Sequence, residues 1–513
     1  MSDTSTVNPD RPTINPVRFV TAASLFDGHD AAINIMRRIL QSQGCEVIHL
    51  GHDRSVETIV RAAIQEDVQG IAISSYQGGH VEYFTYLRDL LDSRGAEHIR
   101  IYGGGGGVIV PEEIAILAKK RVRIFSPEDG QRLGLVGMIA SMVQECDVAL
   151  TENIPPLDAV LAGHDRELAR AITLLEEGSA PAGWLEKIRT AAAQVSTPVL
   201  GITGTGGSGK STLTDELLRR FRTDQEGKLR IAVIAVDPTK RKGGGALLGD
   251  RIRMNTIDLG SVTFRSLATR GAGSVIPENL ADVITLYRAT HDLVVVETPG
   301  IGQGDSGIVP FVDTSLYVMT PEFGAASQLE KIDMLDYADV VAINKFERRG
   351  AEDARRDVAR QLVRNRQAFT STWEDMPVFG TSAARFSDDG VTHLYHYIYD
   401  LLVSKGLVSN PGVLPRLDGM EPTGLTTIVP AGRARYLAEI AETVRGYHAT
   451  TEDQASIARR VQHLGTAAEM LAAQGADTTE VLVLREAQEL ELQREVASLL
   501  QAWPDVREQY TQE

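Results

Sequence analysis

From Val17 onward, short β-branched runs alternate with amphipathic stretches. VRFVTAAS from Val17, EVIHLG from Glu46, GIAISSY from Gly70, IRIYGG from Ile99 and VRIFS from Val122 predict five strands. The stretches between them have helical spacing. The first places Ile33, Met36, Ile39 and Leu40 on one face and stops at Gly44. With four intervening helices and a fifth after Glu128, the series predicts an α/β, flavodoxin-like (Rossmann-like) parallel sheet covered on both sides, ending near Leu150.

Residues 151–196 read as a Pro-punctuated helical connector with helices near Asp165 to Glu177 and Trp184 to Gln194. A second α/β series opens at VLGITG from Val199. Its strands recur at RIAVIAVD, DLVVVET, SLYVMT, DVVAINK and PVFGTS, and a helix near Thr392 to Ser404 closes it. A Pro/Gly-rich stretch from Asn410 to Gly432 leads into a helical region where Leu437, Ile440, Ala441 and Val444 keep helical spacing. The expected organisation is a loose tail over 1–16, domains over 17–150 and 197–409, linkers over 151–196 and 410–432, and a helical region over 433–513.

Composition narrows the class. A chain of 513 residues suits about three domains of ~100–200 residues each. A net charge of −17 argues against nucleic-acid binding, which relies on clustered Lys and Arg. Cys45 and Cys146 lie far apart without CxxC spacing, which disfavours a zinc site or disulfide framework and fits a reducing cytoplasm. No basic start precedes an apolar segment and no apolar run approaches ~20 residues, so neither a signal peptide nor a membrane span is expected.

The chemistry begins at Gly204 to Ser211, GTGGSGKS, a complete Walker A pattern placed after a strand and opening a helix. Gly204, Gly206, Gly207 and Gly209, with Ser208 and Thr212, form a stretch whose backbone N–H groups can wrap phosphates. Lys210 adds positive charge, the Ser211 hydroxyl can ligate Mg²⁺, and the helix start adds its positive dipole end. ETPG ends a later strand, where Glu297 can reach Mg²⁺ and Gly300 can approach a γ-phosphate. In NKFE, at the end of another, Asn344, Lys345 and Glu347 can read guanine; in TSA, Ser382 and Ala383 can back the base. Their order and shared place at strand C-termini point to a GTPase, with Lys210 and Glu297 in its catalytic set.

A second crevice lies at the C-terminal edge of the first sheet. FDGHDAA ends the first strand, Ser74-Ser75-Tyr76 the third, and Gly103 to Gly107 the fourth. His29 offers an imidazole to a metal, and Asp27 can accept its other ring N–H, fixing the tautomer. The glycine run, with Gly103, Gly104 and Gly107, leaves a slot free of side chains for a flat heterocycle.

The GTPase half resembles the MeaB-type G-protein chaperones of methylmalonyl-CoA mutase, and AVDPTKRKGGGALLGDRIRMN resembles their switch I. That resemblance implies Asp237 and Asp250 beside Ser211 and Glu297 around Mg²⁺, with Val236 and Thr298 at the same site and Arg253 near the nucleotide. It adds Asp250 to the catalytic set and makes GIGQGD, Gly300 to Asp305, switch II. The family's base-reading motif ends in Asp, where this chain has Glu347.

The first half resembles the base-off/His-on cobalamin-binding domain, with Ala32 and Tyr76 where that family usually has Gly and Leu. This implies His29 as the lower ligand of cobalt, Asp27 as its partner, Ser74 bonded to the displaced dimethylbenzimidazole, and the tail of the cofactor in the Gly103–Gly107 slot. The two halves in this order resemble the fused isobutyryl-CoA mutase family. The cofactors implied are adenosylcobalamin, GTP/GDP and Mg²⁺. The family's substrate-binding barrel takes ~250 residues; here it is absent and is expected as a fused or separate partner in a homo-oligomer such as a dimer. A stand-alone cobalamin-sensing GTPase, or a chaperone of methylmalonyl-CoA mutase, remains the alternative.

Overall fold

The computed structural model describes residues 13–511 except 26, 29, 241–242, 259, 271–275, 301–304, 324–328, 331, 369, 418 and 424–435. It separates into two compact units, Met1–Leu425 and Thr426–Glu513.

In the first unit, β1 (Arg18–Ala23), β2 (Glu46–Gly51), β3 (Gly70–Ser74), β4 (Arg100–Gly104) and β5 (Val122–Phe125) pair in parallel in the order β5-β4-β3-β1-β2. This is the flavodoxin-like order. The strands alternate with α1 (Asp30–Ser42), α2 (Val56–Gln65), α3 (His80–Ser93), α4 (Pro111–Lys119) and α5 (Pro127–Cys146). Helices α2 to α4 pack on one face through Ile59, Phe84 and Leu117, and α1 and α5 on the other through Leu40 and Ile139, so β1 buries all six residues. Local chemistry sets the boundaries: the Ser55 side chain accepts from Thr58 N–H at 3.3 Å and starts α2.

Three connector helices follow: α6 (Leu157–Leu161), α7 (Asp165–Glu176) and α8 (Ala182–Ala192). The second series runs β6 (Val199–Gly204), α9 (Lys210–Asp224), β7 (Ile231–Asp237), β8 (Ala246–Leu248), β9 (Val262–Ala268), α10 (Leu280–Thr290), β10 (Leu293–Glu297), β11 (Thr314–Met319), β12 (Val340–Asn344), α11 (Ala351–Asn365), β13 (Val378–Thr381) and α12 (Asp389–Ser404). Seven of its strands form a parallel sheet, β13-β12-β11-β6-β10-β7-β9.

The remaining strand crosses over. β8 pairs in parallel with β2, Ala246 opposite Glu46 and Leu248 opposite Ile48, and is the sixth strand of the first sheet. Neither β8 nor β9 was among the expected strands. β8 has only three residues after a glycine run, too short for a period to show. β9 carries Arg265 in mid-strand, yet that residue is fully buried.

Buried charge joins the two sheets. Arg18 donates to Glu46 at 2.7 Å and to Glu176 at 2.7 Å. Arg265 donates to Glu176 at 2.5 Å, and Arg270 donates to Glu46 at 2.6 Å. The second unit, by itself, holds α13 (Tyr436–Ala473), packed on α14 (Thr479–Leu490), and α15 (Arg494–Thr511). Among the described residues, no helix is long and apolar enough to cross a membrane.

Glu176 thus serves arginines from both sheets. Removing one partner of a buried ion pair costs about 3–5 kcal/mol. Glu176→Gln should therefore lower the unfolding free energy of the first unit, extrapolated from urea titration, by an amount of that order. A loss within about 1 kcal/mol, the range of an exposed pair, would show that the seam is not tightly closed.

Candidate functional site

The P-loop stands on the central strand of the second sheet. Gly204, with φ +146°, lies so close to β11 that an added Cβ would sit 1.9 Å from the Val318 carbonyl oxygen. Only glycine can turn there. Lys210 Nζ donates to the carbonyls of Gly204 at 3.0 Å and Thr205 at 3.2 Å, holding the ammonium over the loop. Gly300 packs against it, since a Cβ there would meet Lys210 Nζ at 2.2 Å.

Three carboxylates face the start of α9. The Ser211 hydroxyl lies 2.7 Å from Glu297 Oε1 and 3.2 Å from Asp250 Oδ1. Thr214, one turn on, donates to Glu297 Oε2 at 2.9 Å. Burial, then the Asp250 charge, pushes the Asp237 carboxyl up to about 8, and the same two causes push Glu297 up to about 7. Like charges held this close favour a cation. Among the described residues, no set of three His, Cys, Asp or Glu side chains forms a ready-made metal cage.

These groups, with Gly206, Gly207, Gly209, Thr212 and Thr298, line a cavity of about 310 Å³. Arg253 also lines it, with its guanidinium 3.6 Å from Asp250 Oδ1. Thr298 donates its hydroxyl to Thr203 at 2.8 Å. The Val236 side chain lies in the apolar core with Ile234 and Val296, and Val236 is not among the residues lining the cavity. Residues 301–304 of the expected switch II lie outside the described residues.

At the far side of the P-loop, Asn344 Nδ2 donates to the Ser208 carbonyl at 2.7 Å and its Oδ1 accepts from Thr381 Oγ1 at 3.1 Å and Ala383 N–H at 3.2 Å. Lys345 donates to the Gly207 carbonyl at 2.7 Å. Glu347, otherwise exposed, accepts from the buried Ser382 hydroxyl at 2.7 Å, so its carboxylate has a fixed direction.

The edge of the first sheet brings Asp27, Ser74 and the glycine run together. Asp27 is buried and accepts the Tyr76 N–H at 2.6 Å. His29 lies outside the described residues. The Ser74 hydroxyl is buried and has no hydrogen-bond partner among the described residues, which is unusual for a buried polar group. Beside it, Gly103 and Gly104 border an almost wholly apolar cleft of about 40 Å³ between α1 and α5, lined by Met36, Met138 and Met142. Unbranched thioethers can swing aside to admit a two-ring heterocycle. A Cβ on Gly103 would strike Phe84 and Ile124 at 2.6 Å, whereas one on Gly104 meets nothing nearer than the Phe125 carbonyl at 3.9 Å. Gly107 holds φ +96° at the exposed tip. Sequence reasoning missed Ser24 and His80, which sandwich Ser75 through hydrogen bonds of 3.0 Å each. It also missed Thr214, whose spacing of three from Ser211 on one helix face was the available signal.

A phosphate-wrapping edge on one sheet and a heterocycle slot on the other define a cobalamin-binding domain joined to a G-protein domain. Residues 17–125 match the B12 binding domain family, and residues 168–408 match the methylmalonyl Co-A mutase-associated GTPase MeaB family. The chain is 62% identical over 496 residues to a fused isobutyryl-CoA mutase of Nocardia farcinica, covering 96% of this chain and 46% of that protein. It is 60% identical over 506 residues to a fused isobutyryl-CoA mutase of Cupriavidus metallidurans, covering 98% and 46%. Over nearly its whole length the chain is similar to these fused isobutyryl-CoA mutases, and it spans about half the length of these relatives. It carries their cobalamin-binding and GTPase portion.

Since a side chain at Gly104 would fill the slot without striking the chain, Gly104→Val should keep the fold but weaken cobalamin binding about tenfold or more, overpacking costing roughly 1–3 kcal/mol. Titration of cobalamin followed by absorbance, beside thermal unfolding, checks this. Unchanged affinity would place the heterocycle elsewhere.

Proposed function

We propose that these residues are the GTP-hydrolysing chaperone and adenosylcobalamin-binding portion of a carbon-skeleton mutase acting on isobutyryl-CoA or a related acyl-CoA. The observation that carries the reading is the pairing, in one compact unit, of a full P-loop facing three carboxylates with an unpartnered Ser74 hydroxyl beside an apolar slot.

On the nucleotide side, backbone N–H groups of Gly204 to Thr212 hold the phosphates. Lys210 exchanges its carbonyl partners for phosphate oxygens. Ser211, Asp237, Asp250 and Glu297 hold Mg²⁺, with Thr298 and the backbone of Val236 beside them. Lys210, Asp250 and Glu297 form the catalytic set, and Arg253 neutralises charge at the mouth of the cavity. Asn344, Lys345 and Glu347 read guanine, backed by Ser382 and Ala383.

On the cobalamin side, His29 ligates cobalt, Asp27 orients its ring, and Ser74 donates to or accepts from the displaced base in the slot at Gly103, Gly104 and Gly107. When bound, adenosylcobalamin supplies a homolysable Co–C bond as the radical source. The chain's own part is to hold that cofactor and, through nucleotide state, to gate its entry and release. The substrate barrel is a fused segment or a separate subunit, the assembly is a homodimer, and the compartment is the cytoplasm. The parts run 17–150, 151–196, 197–409, 410–432 and 433–513.

Two measurements test this reading. Adenosylcobalamin bound to the chain should show a base-off spectrum, and His29→Ala should lose that spectrum and much of the affinity. An unchanged spectrum refutes the ligand assignment. In competition, GTP should displace ATP. A charge-assisted hydrogen bond is worth roughly 1.5–3 kcal/mol, so Glu347→Ala should narrow the preference about tenfold or more. Equal affinities in the unsubstituted chain would remove guanine reading from Glu347.

A further inference from the structure

The segment that carries Asp250 is bound on alternate sides. Ala246 and Leu248 lie in β8, paired to β2 of the cobalamin-binding sheet. Next, Gly249 N–H donates to Asp237 at 3.1 Å, and Asp250 meets Ser211 in the magnesium cavity. Arg251 turns back. Its guanidinium donates to Glu66 Oε1 at 3.3 Å, to Gln65 Oε1 at 2.8 Å and to the Phe264 carbonyl at 3.2 Å, and lies 5.2 Å from the Phe264 ring centroid. Ile252 also faces the cobalamin-binding domain, where a Cβ on Gly51 would meet its Cδ1 at 2.8 Å.

Glu66 is the fixed end of this contact. Its side chain is fully buried, and it also accepts from Ser266 N–H at 3.0 Å and Ser266 Oγ at 2.9 Å. Arg251 opens a one-turn 3₁₀ helix in which Arg253 N–H donates to the Asp250 carbonyl at 3.0 Å. Fixing the Arg251 backbone therefore fixes the direction from which the preceding carboxylate enters the cavity.

We propose that the cobalamin-binding domain completes the magnesium–nucleotide site of the GTPase, with Glu66 as a positioning residue that acts through Arg251 and β8 to hold Asp250 at Ser211. The inference rests on the nucleotide reading above and adds a residue from the other domain to that site. A shift of β2 against β1, the strand that leads into Asp27, passes through β8 to Asp250, because β8 is paired to β2 and Arg251 to Glu66. The two ligand sites are thereby linked in both directions.

The test uses the full chain, with fluorescent GDP titrated at a series of Mg²⁺ concentrations. Glu66→Gln and Arg251→Gln should each raise the Mg²⁺ needed for half-maximal binding about tenfold, while binding in excess chelator stays equal to that of the unsubstituted chain. Asp67→Asn is the control. It breaks a different buried pair, Asp67 with Arg170 of the connector at 2.8 Å, which touches neither β8 nor Arg251, and should leave the Mg²⁺ requirement within twofold. Arg251→Lys, which keeps the charge, should need less Mg²⁺ than Arg251→Gln, and this comparison decides the matter if Glu66→Gln folds poorly. An unchanged Mg²⁺ requirement in folded Arg251→Gln, or an equal rise in Asp67→Asn, would overturn the proposal. No Mg²⁺-dependent binding in the unsubstituted chain would overturn the nucleotide reading itself, and this inference with it.

Discussion

The two sheets are held together by ions that water does not reach. Arg18, Arg251 and Arg265 lie against Glu46, Glu66 and Glu176, all with side chains at most 6% exposed. Burying such charges is unfavourable unless each is paired and hydrogen-bonded, so the seam tolerates few arrangements. Because the arginines come from both halves and Glu176 from the connector between them, the network fixes how the cobalamin-binding sheet and the GTPase sheet face each other. The placement of β8 depends on that fixed relation. Three residues could not make a stable edge strand alone, yet they add to β2 while the seam holds the rest of the segment in place.

Both ligand edges follow from one rule of parallel sheets, that crevices open at strand C-termini. What distinguishes them is what the chain leaves vacant. In the GTPase half, backbone and a lysine surround a cavity whose acidic wall is held at unfavourably close spacing. In the cobalamin-binding half, a missing Cβ at Gly104 leaves space, and the buried Ser74 hydroxyl has no hydrogen-bond partner among the described residues. Each is a local departure from full satisfaction, and such departures concentrate where a ligand is to complete the structure.

The Asn344–Glu347 corner shows how a substitution in a motif is accommodated. Glu347 is one methylene longer than the Asp of the family pattern. Its carboxylate is held by Ser382, itself anchored by the Asp388 carboxylate accepting the Ser382 N–H at 3.1 Å. The longer side chain reaches a buried hydroxyl, which gives the carboxylate a direction.

The amino-acid sequence by itself determined the two strand–helix series, the P-loop, and the loops that end β1, β3, β4, β10, β12 and β13. Those features are written in local period, in glycine spacing and in the order of polar residues after apolar runs. The sequence did not determine β8 or β9. A three-residue strand has no period to read, and Arg265 reads as an exposed position until Glu176 and Thr173 are placed around it. Nor could spacing show that Arg251 belongs to Glu66, a residue 185 positions away. Such pairings are settled by burial and charge balance between segments far apart in the chain, and only the folded structure brings those segments together.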